Sequence, residues 1–242
     1  MRTMKKTSQG FSLIEFVVVV LLIMVISGSI FAVITGALSR SGNEQAKLDM
    51  FQQAREFMDQ MSRDLHQAGY PNVTNFTTGV LANPNSNDRR VAVGIVKIAT
   101  GDLWFEGDVD GRGTVSVIQY HLDTSTSNGC PCLRRSQHDK IDGNPVTGQT
   151  TPVYQVEVQG VQNTDIFSAY VDGATGTPIT LPIDFNTDGQ TIATTDTVQA
   201  VLTLQSTYVD PQTKQRPIST LVSTVRLNNC SQAYIGLPLS CN

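Results

Sequence analysis

An α+β fold, with a long N-terminal helix packed against a largely antiparallel β-sheet head, is what this 242-residue chain predicts. Three observations lead there. The 24 residues from Phe16 to Ser39 carry no charge. An apolar stripe at helical spacing follows them. After Pro71 the pattern changes to short alternating runs separated by Gly, Asp, Asn and Pro.

The uncharged run comes first. At 1.5 Å per helical residue it spans about 36 Å, against a hydrocarbon core of about 30 Å, so it is long enough to cross a bilayer with some tilt. Beyond it, Leu48, Phe51, Ala54, Met58, Met61 and Leu65 recur at steps of three and four. They form one stripe of a helix, read as the face on which the sheet of the head packs. His66 lies beside this stripe and is read as structural. Gly69, Tyr70 and Pro71 stop the helix. The two segments are expected to form a single rod over 11–68, about 87 Å long at the same rise. Ser27-Gly28-Ser29, Gly36 and Gly42 are its weak points, since a helical glycine costs about 1 kcal/mol relative to alanine. Close helix packing, local melting and simple tolerance are three open readings of Gly28.

Seven strands are expected in the head: Val91–Ala99, Asp102–Phe105, Thr114–Leu122, Pro152–Gly160, Asp165–Val171, Thr197–Val209 and Ile218–Leu227. Thr, Ser and Gln are frequent on their polar phase, as on a solvated sheet face. The stretches 72–90 and 128–151 are read as loops.

Charge bounds the topology. The chain carries a net −4, and the first ten residues hold Arg2, Lys5 and Lys6 with no acid. The acidic remainder gives no electrostatic reason to bind nucleic acid. Cations ahead of the apolar run favour a cytoplasmic N-terminus and an exported body. A secretory signal has a short apolar region followed by small residues at the cut, whereas here the polar segment ends in Gly10 before the apolar region begins. A plain signal anchor is the alternative that the apolar run alone leaves open. Glu15 stands out, because it is a carboxylate inside an otherwise apolar stretch.

The segment QGFSLIEF resembles the class III signal of the type IV pilin and pseudopilin superfamily: a basic leader ending in Gly, then Phe, a polar residue, two aliphatics, Glu and a long apolar helix. The resemblance implies cleavage between Gly10 and Phe11 by a prepilin peptidase and N-methylation of Phe11. The division it implies is a leader at 1–10, a transmembrane helix at 11–39, an amphipathic continuation at 40–68 and a β-rich periplasmic head at 69–242. Glu15 then becomes an assembly residue. The new amine on Phe11 lies about 6 Å from it along one straight helix, and the amine of a neighbouring subunit can come closer, so two charges unfavourable in lipid neutralise each other. Snorkelling of Glu15 to the headgroups is the plainer reading.

SRDLHQAGY, LWFEGDVDGRGTVSVIQYHL and CLRRS are similar to segments of PilW-type minor pilins and of the J-type pseudopilin of type II secretion. The function so implied is a minor type IV pilin that helps to initiate or cap pilus assembly, with the J-type pseudopilin as alternative. Its partners would be the prepilin peptidase, other pilins or pseudopilins and the inner-membrane assembly platform. The localisation so implied is a single pass through the inner membrane, N-terminus cytoplasmic and head periplasmic. A signal-anchored envelope enzyme or binding module is the reading from a different class.

Chemistry-bearing motifs are few. EGDVDGRG places Glu106, Asp108 and Asp110 at the first, third and fifth positions of an EF-hand frame, with Gly111 at the sixth. Val117 stands at the twelfth, where a bidentate Glu belongs, so Asp108 and Asp110 are calcium candidates set against an acidic β-turn, which is favoured. Four cysteines allow three pairings. Cys230–Cys241 is favoured as the bridge that closes a short C-terminal loop. Cys130 and Cys132 are left as a short, strained bridge or two free thiols. Zinc on all four is disfavoured, since only one close pair exists and its spacing is atypical. No GxSxG frame, P-loop or paired-glycine nucleotide signature is present, so no enzyme and no cofactor is expected.

Overall fold

The computed structural model describes residues 12–77, 79–81, 87–126, 130–171, 173–210 and 213–229, and the backbone of 231–232 and 239–240. One helix, α1, runs unbroken from Leu13 to His66 over 54 residues. Gly28, Gly36 and Gly42 lie within it without interrupting it, and a Cβ added to any of them would meet nothing within 4 Å.

The head is built on two antiparallel sheets. The larger contains β1 (Ile95–Ala99), β2 (Asp102–Gly107), β3 (Ser116–Asp123), β4 (Cys132–Asp139), β5 (Gln155–Gln159) and β7 (Ile183–Asp184), in the order β5-β4-β3-β2-β1-β7. The smaller has the order β6-β8-β9, from β6 (Phe167–Tyr170), β8 (Thr197–Gln205) and β9 (Ile218–Arg226). A short helix α2 (Gly189–Thr194) precedes β8, and β10 (Ser231–Gln232) pairs with β11 (Leu239–Ser240). The expected α+β class and antiparallel pairing are therefore present.

Several elements differ from expectation. Strand β4 falls inside the stretch read as a loop over 128–151, and it pairs with both β3 and β5. β8 ends at Gln205 rather than Val209: Ser206 still donates its backbone N–H to the Pro217 carbonyl, but proline has no N–H with which to continue the ladder. In the helical stripe, Ala54, Met58, Met61 and Leu65 are buried as expected, but Leu48 and Phe51 are 56% and 41% exposed. The head covers another arc of the rod at that height, where Asn43 is buried and Met50 packs against the core, so Leu48 and Phe51 turn away from it.

Both sheets and α1 share one core. Phe57, Met61 and Leu65 from the helix join Phe105, Ile118 and Leu133 from the large sheet and Phe167, Val198 and Leu202 from the small one. Two glycines permit the closest approaches. Gly107 pairs with Ala68, and a Cβ there would overlap the Gln67 carbonyl. Gly160 has φ +74, and its Cβ would lie 2.5 Å from the Gln205 carbonyl where the chain passes from one sheet to the other.

Candidate functional site

Two halves of α1 do different things. The lower half contains a segment long and apolar enough to cross a membrane, and none of its most apolar window is buried by the rest of the chain. Its hydroxyls do not seek outside partners. Ser29 donates to the Val25 carbonyl at 2.9 Å, Thr35 to Phe31 at 3.0 Å and Ser39 to Gly36 at 3.0 Å. Folding polar groups back onto the helix is what a hydrocarbon environment demands, since nothing there replaces water.

Glu15 is exposed in the first turn of α1. Its Oε2 accepts the Ser12 backbone N–H at 3.4 Å. A carboxylate at a helix N-terminus is favoured by the helix dipole and by the unsatisfied N–H groups there. Glu15 therefore has a local role in starting the helix beside the one that sequence resemblance assigns. Gly10 and Phe11 lie outside the described residues, as do Cys230 and Cys241.

The upper half is anchored in the head by a buried polar clamp. Asp64 lies in the apolar face between Met61 and Leu65 and is itself buried. Its Oδ2 accepts from Tyr120 Oη at 2.9 Å and from Arg135 Nη2 and Nε at 2.8 and 3.1 Å. Tyr120 and Arg135 stand directly opposite each other on β3 and β4. Burial, with the Asp64 carboxylate alongside, pushes the Tyr120 phenol well above its ordinary range and keeps it a donor. Phe57 meets the Tyr120 ring edge-on at 5.4 Å. Further along the rod, Asn229 donates to the carbonyls of His66 and Ala68, and Asn228 bonds His66 Nδ1 at 3.1 Å. Gln53 caps the free edge of β5 through the Glu157 carbonyl at 3.0 Å.

A second buried pair sits on the opposite face of the large sheet. Lys140 and Glu106 are both fully buried, with Nζ and Oε2 2.6 Å apart. Lys140 also donates to the Val91 carbonyl, and Glu106 accepts from the Val93 N–H. Burial holds the Glu106 carboxyl above its usual range against the opposing pull of Lys140.

That pair also shows what becomes of the acidic motif. Glu106 turns inward to Lys140, away from the loop that follows it. Asp108 Oδ2 accepts the Gly113 N–H at 2.8 Å, and Asp110 is ion-paired to Arg112 at 2.6 Å. Gly111 and Gly113 take positive φ, so the loop is an acidic turn tied to its own backbone and to Arg112. Among the described residues, the one group of three side chains spaced to hold a metal is Asp123 with Cys130 and Cys132. The two cysteines are joined as a disulfide. Arg134 ion-pairs with Asp123 at 2.9 Å, so a cation already occupies the flank of that group.

The histidines are dispersed. His121 pairs with Asp102 across β2 and β3 at 2.6 Å and packs on the Tyr154 ring. His138 on β4 has both ring nitrogens buried without a partner among the described residues. Its burial holds the imidazole below 6.5, opposed by Asp139. The folded chain thus keeps His138 neutral while the unfolded chain takes up a proton below about 6.5. Stability is expected to fall as pH drops from 7 towards 5, by at most about 1.4 kcal/mol per pH unit from this group. Urea midpoints at both pH values should lie closer together in His138→Gln than in the parent chain.

The Asp64 clamp was not read from sequence, although a signal was available: an acid between two apolar members of a helical stripe, and an arginine on the apolar phase of CLRRS. Comparison with family models, with curated proteins and with solved structures returned no match.

Proposed function

We propose that this chain is a pilin-like subunit, processed after Gly10 and assembled through its N-terminal helix into a type IV pilus or pseudopilus. The observation that carries the reading is α1 itself. One continuous helix joins an uncovered, lipid-length apolar half to a half locked into a folded head. Such a subunit has a bilayer-resident store and a filament-forming stem in the same element. As subunits leave the bilayer, the stems pack together through close contacts and the pairing of Glu15 with the amine of a neighbour. The head is then presented on the periplasmic side.

The finer reading is a minor pilin of the PilW type that helps to initiate or cap the filament, supported by the similarity at SRDLHQAGY and in the Tyr-bearing strand. The J-type pseudopilin is the second reading, supported by the same segments. A set of other minor pilin genes beside this one favours the first, and a set of secretion components favours the second.

Glu15 supplies the test. Glu15→Ala is expected to lower incorporation into filaments, or into the pilin complex, by about tenfold or more, the loss set by an unpaired charge in lipid. Glu15→Gln keeps a side chain able to accept at the third helical position and should fare no better if charge is what counts. Mass spectrometry of the native protein should find an N-methylated chain beginning at Phe11. Normal incorporation of Glu15→Ala, or an uncut leader, removes the proposal.

A further inference from the structure

An open sheet edge is a template for another chain, because its outward N–H and carbonyl groups have no partner. The head treats its edges unequally. β7 is two residues long. β5 is bulged in its pairing with β4 and carries Gln53 on its Glu157 carbonyl. β6 is four residues long and receives the Ile179 N–H on its Ala169 carbonyl. β9 has none of these devices. It pairs with β8 over nine residues in one unbroken register, and no charge falls between Ile218 and Val225.

The ladder shows which backbone groups are open. Below β9 the Pro217 carbonyl accepts the Ser206 N–H, and above it Leu227 donates its N–H to the Asp196 carbonyl. Bonded and unbonded pairs alternate along an antiparallel ladder, so both ends place the odd-numbered residues of β9 in bonded pairs with β8. The N–H and carbonyl groups of Ile218, Thr220, Val222 and Thr224 therefore turn outward. Among the described residues, no hydrogen bond reaches them. Ile218 and Val222 are also 60% and 58% exposed.

This strand lies along the rod. Its lower end shares a recess with Lys47 through Pro217 and Ile218, and beyond its upper end Asn228 bonds His66 Nδ1. From Lys47 to His66 a helix rises about 28 Å, and from Ile218 to Asn228 an extended chain spans about 33 Å, so the two run side by side. At about 100° per residue, Phe51 and Arg55 fall between Lys47 and His66 around the rod, and Leu48 shares the direction of His66. The flank beside β9 thus carries the exposed apolar pair Leu48 and Phe51, with Arg55 over the Phe51 ring. A strand added outside β9 would rest on that flank.

Cations bracket the open edge. Arg216 precedes β9 and Arg226 ends it, with Arg55 on the flank between them. Arg216 and Arg55 have no ion pair among the described residues, and the exposed Arg226 is held only at 3.8 Å by Asp196. Such an edge fits an extended segment that is uncharged in its middle and acidic at its ends. β9 of a second copy does not fit, because pairing it in either direction sets arginine against arginine. Resting on the assembly reading above, we infer that β9 receives, as a further strand, an extended segment of that chemistry from a different subunit of the assembly. Main-chain hydrogen bonds supply the affinity, and the bracketing charges choose the partner. Each copy takes one partner, and the sheet edge is then closed.

A photo-crosslinking phenylalanine analogue at Ile218, in the full-length protein in its native membranes, tests the inference. The expected product joins a subunit of different sequence at a segment that is uncharged in its middle and acidic at its ends. Val222→Pro removes one outward N–H, leaves the β8 ladder intact and should lower the yield about tenfold. Val222→Ala keeps that N–H and should retain most of the product. Arg216→Glu combined with Arg226→Glu alters no ladder bond and should also lower the yield about tenfold. An unchanged yield in Val222→Pro or in the double arginine variant, or a loss in Val222→Ala as large as in Val222→Pro, overturns strand addition. The same analogue at Ile23 reports association of the apolar helices independently. If the Ile23 product forms while Ile218 links to nothing, or only to a second copy of this chain, the edge inference fails and the assembly reading stands. If neither product forms, both fail.

Discussion

Lys140→Met is expected to destabilise the head by about 3–5 kcal/mol, the cost of breaking a buried ion pair from one side. Lys140 Nζ donates to Glu106 Oε2 and to the Val91 carbonyl, at 2.6 and 2.8 Å. Methionine fills the same volume but donates to neither. Glu106 is then left fully buried with the Val93 N–H as its remaining donor, and Glu106 Oε1 has no partner among the described residues even in the parent chain. The carboxyl, already held above its usual range by burial, should respond by taking up a proton. Urea unfolding of the full-length protein in detergent checks this through Trp104, the single tryptophan, which lies on β2 two residues from Glu106. Replacing both partners should recover much of the loss, since an apolar pair of similar volume carries no desolvation penalty. Equal losses in the single and double variants would show that the pair's charges are not what stabilises this face.

Asp64→Ala is the second large effect, again about 3–5 kcal/mol, for the loss of one partner from a buried charged network. The Tyr120 hydroxyl loses its acceptor, the Arg135 guanidinium keeps Gln137 Oε1 but loses its ion pair, and Tyr120 is fully buried. Here the damage is directional. Asp64 belongs to the rod, while Tyr120 and Arg135 belong to the sheet, so the variant loosens one from the other. Amide hydrogen exchange should quicken along the part of α1 from Ala54 to Leu65 before it quickens in β2 and β3. Asp64→Asn, which can still accept from Tyr120, is expected to lose less. Uniform acceleration across rod and sheet together would argue that Asp64 supports the whole head and not the junction.

How much of this was legible beforehand depends on which force shaped each element. The rod was legible, because hydrophobic periodicity and the uncharged run are properties of local sequence. The misplacement of Leu48 and Phe51 shows the limit, since two successive steps of three carry them around the helix, away from the face that Met50 and Ala54 present to the head. Arg55 lies over the Phe51 ring at 5.8 Å and is part of what surrounds that side chain in place of a core. Strand β4 was missed for the opposite reason. In CLRRSQHD the alternation is broken by charged residues, and Arg135 points inward because Asp64 receives it. A strand stabilised by a distant carboxylate carries no local sign of it. Similarly, Glu106 looked like a loop ligand until Lys140, 34 residues later, took it inward. Of the segment QGFSLIEF, residues 9–11 lie outside the described residues, and Glu15 is exposed in the first turn of α1.

The absence of a joint between the apolar and anchored halves of α1 has a mechanical consequence. Force applied at the lower end travels up a single hydrogen-bonded column and reaches the sheets along their shared helix. The Asp64 contacts and the surrounding packed side chains are then loaded in shear, many at once, instead of being peeled one strand after another. A head mounted in this way should withstand traction that would unzip a domain hung from a flexible tether.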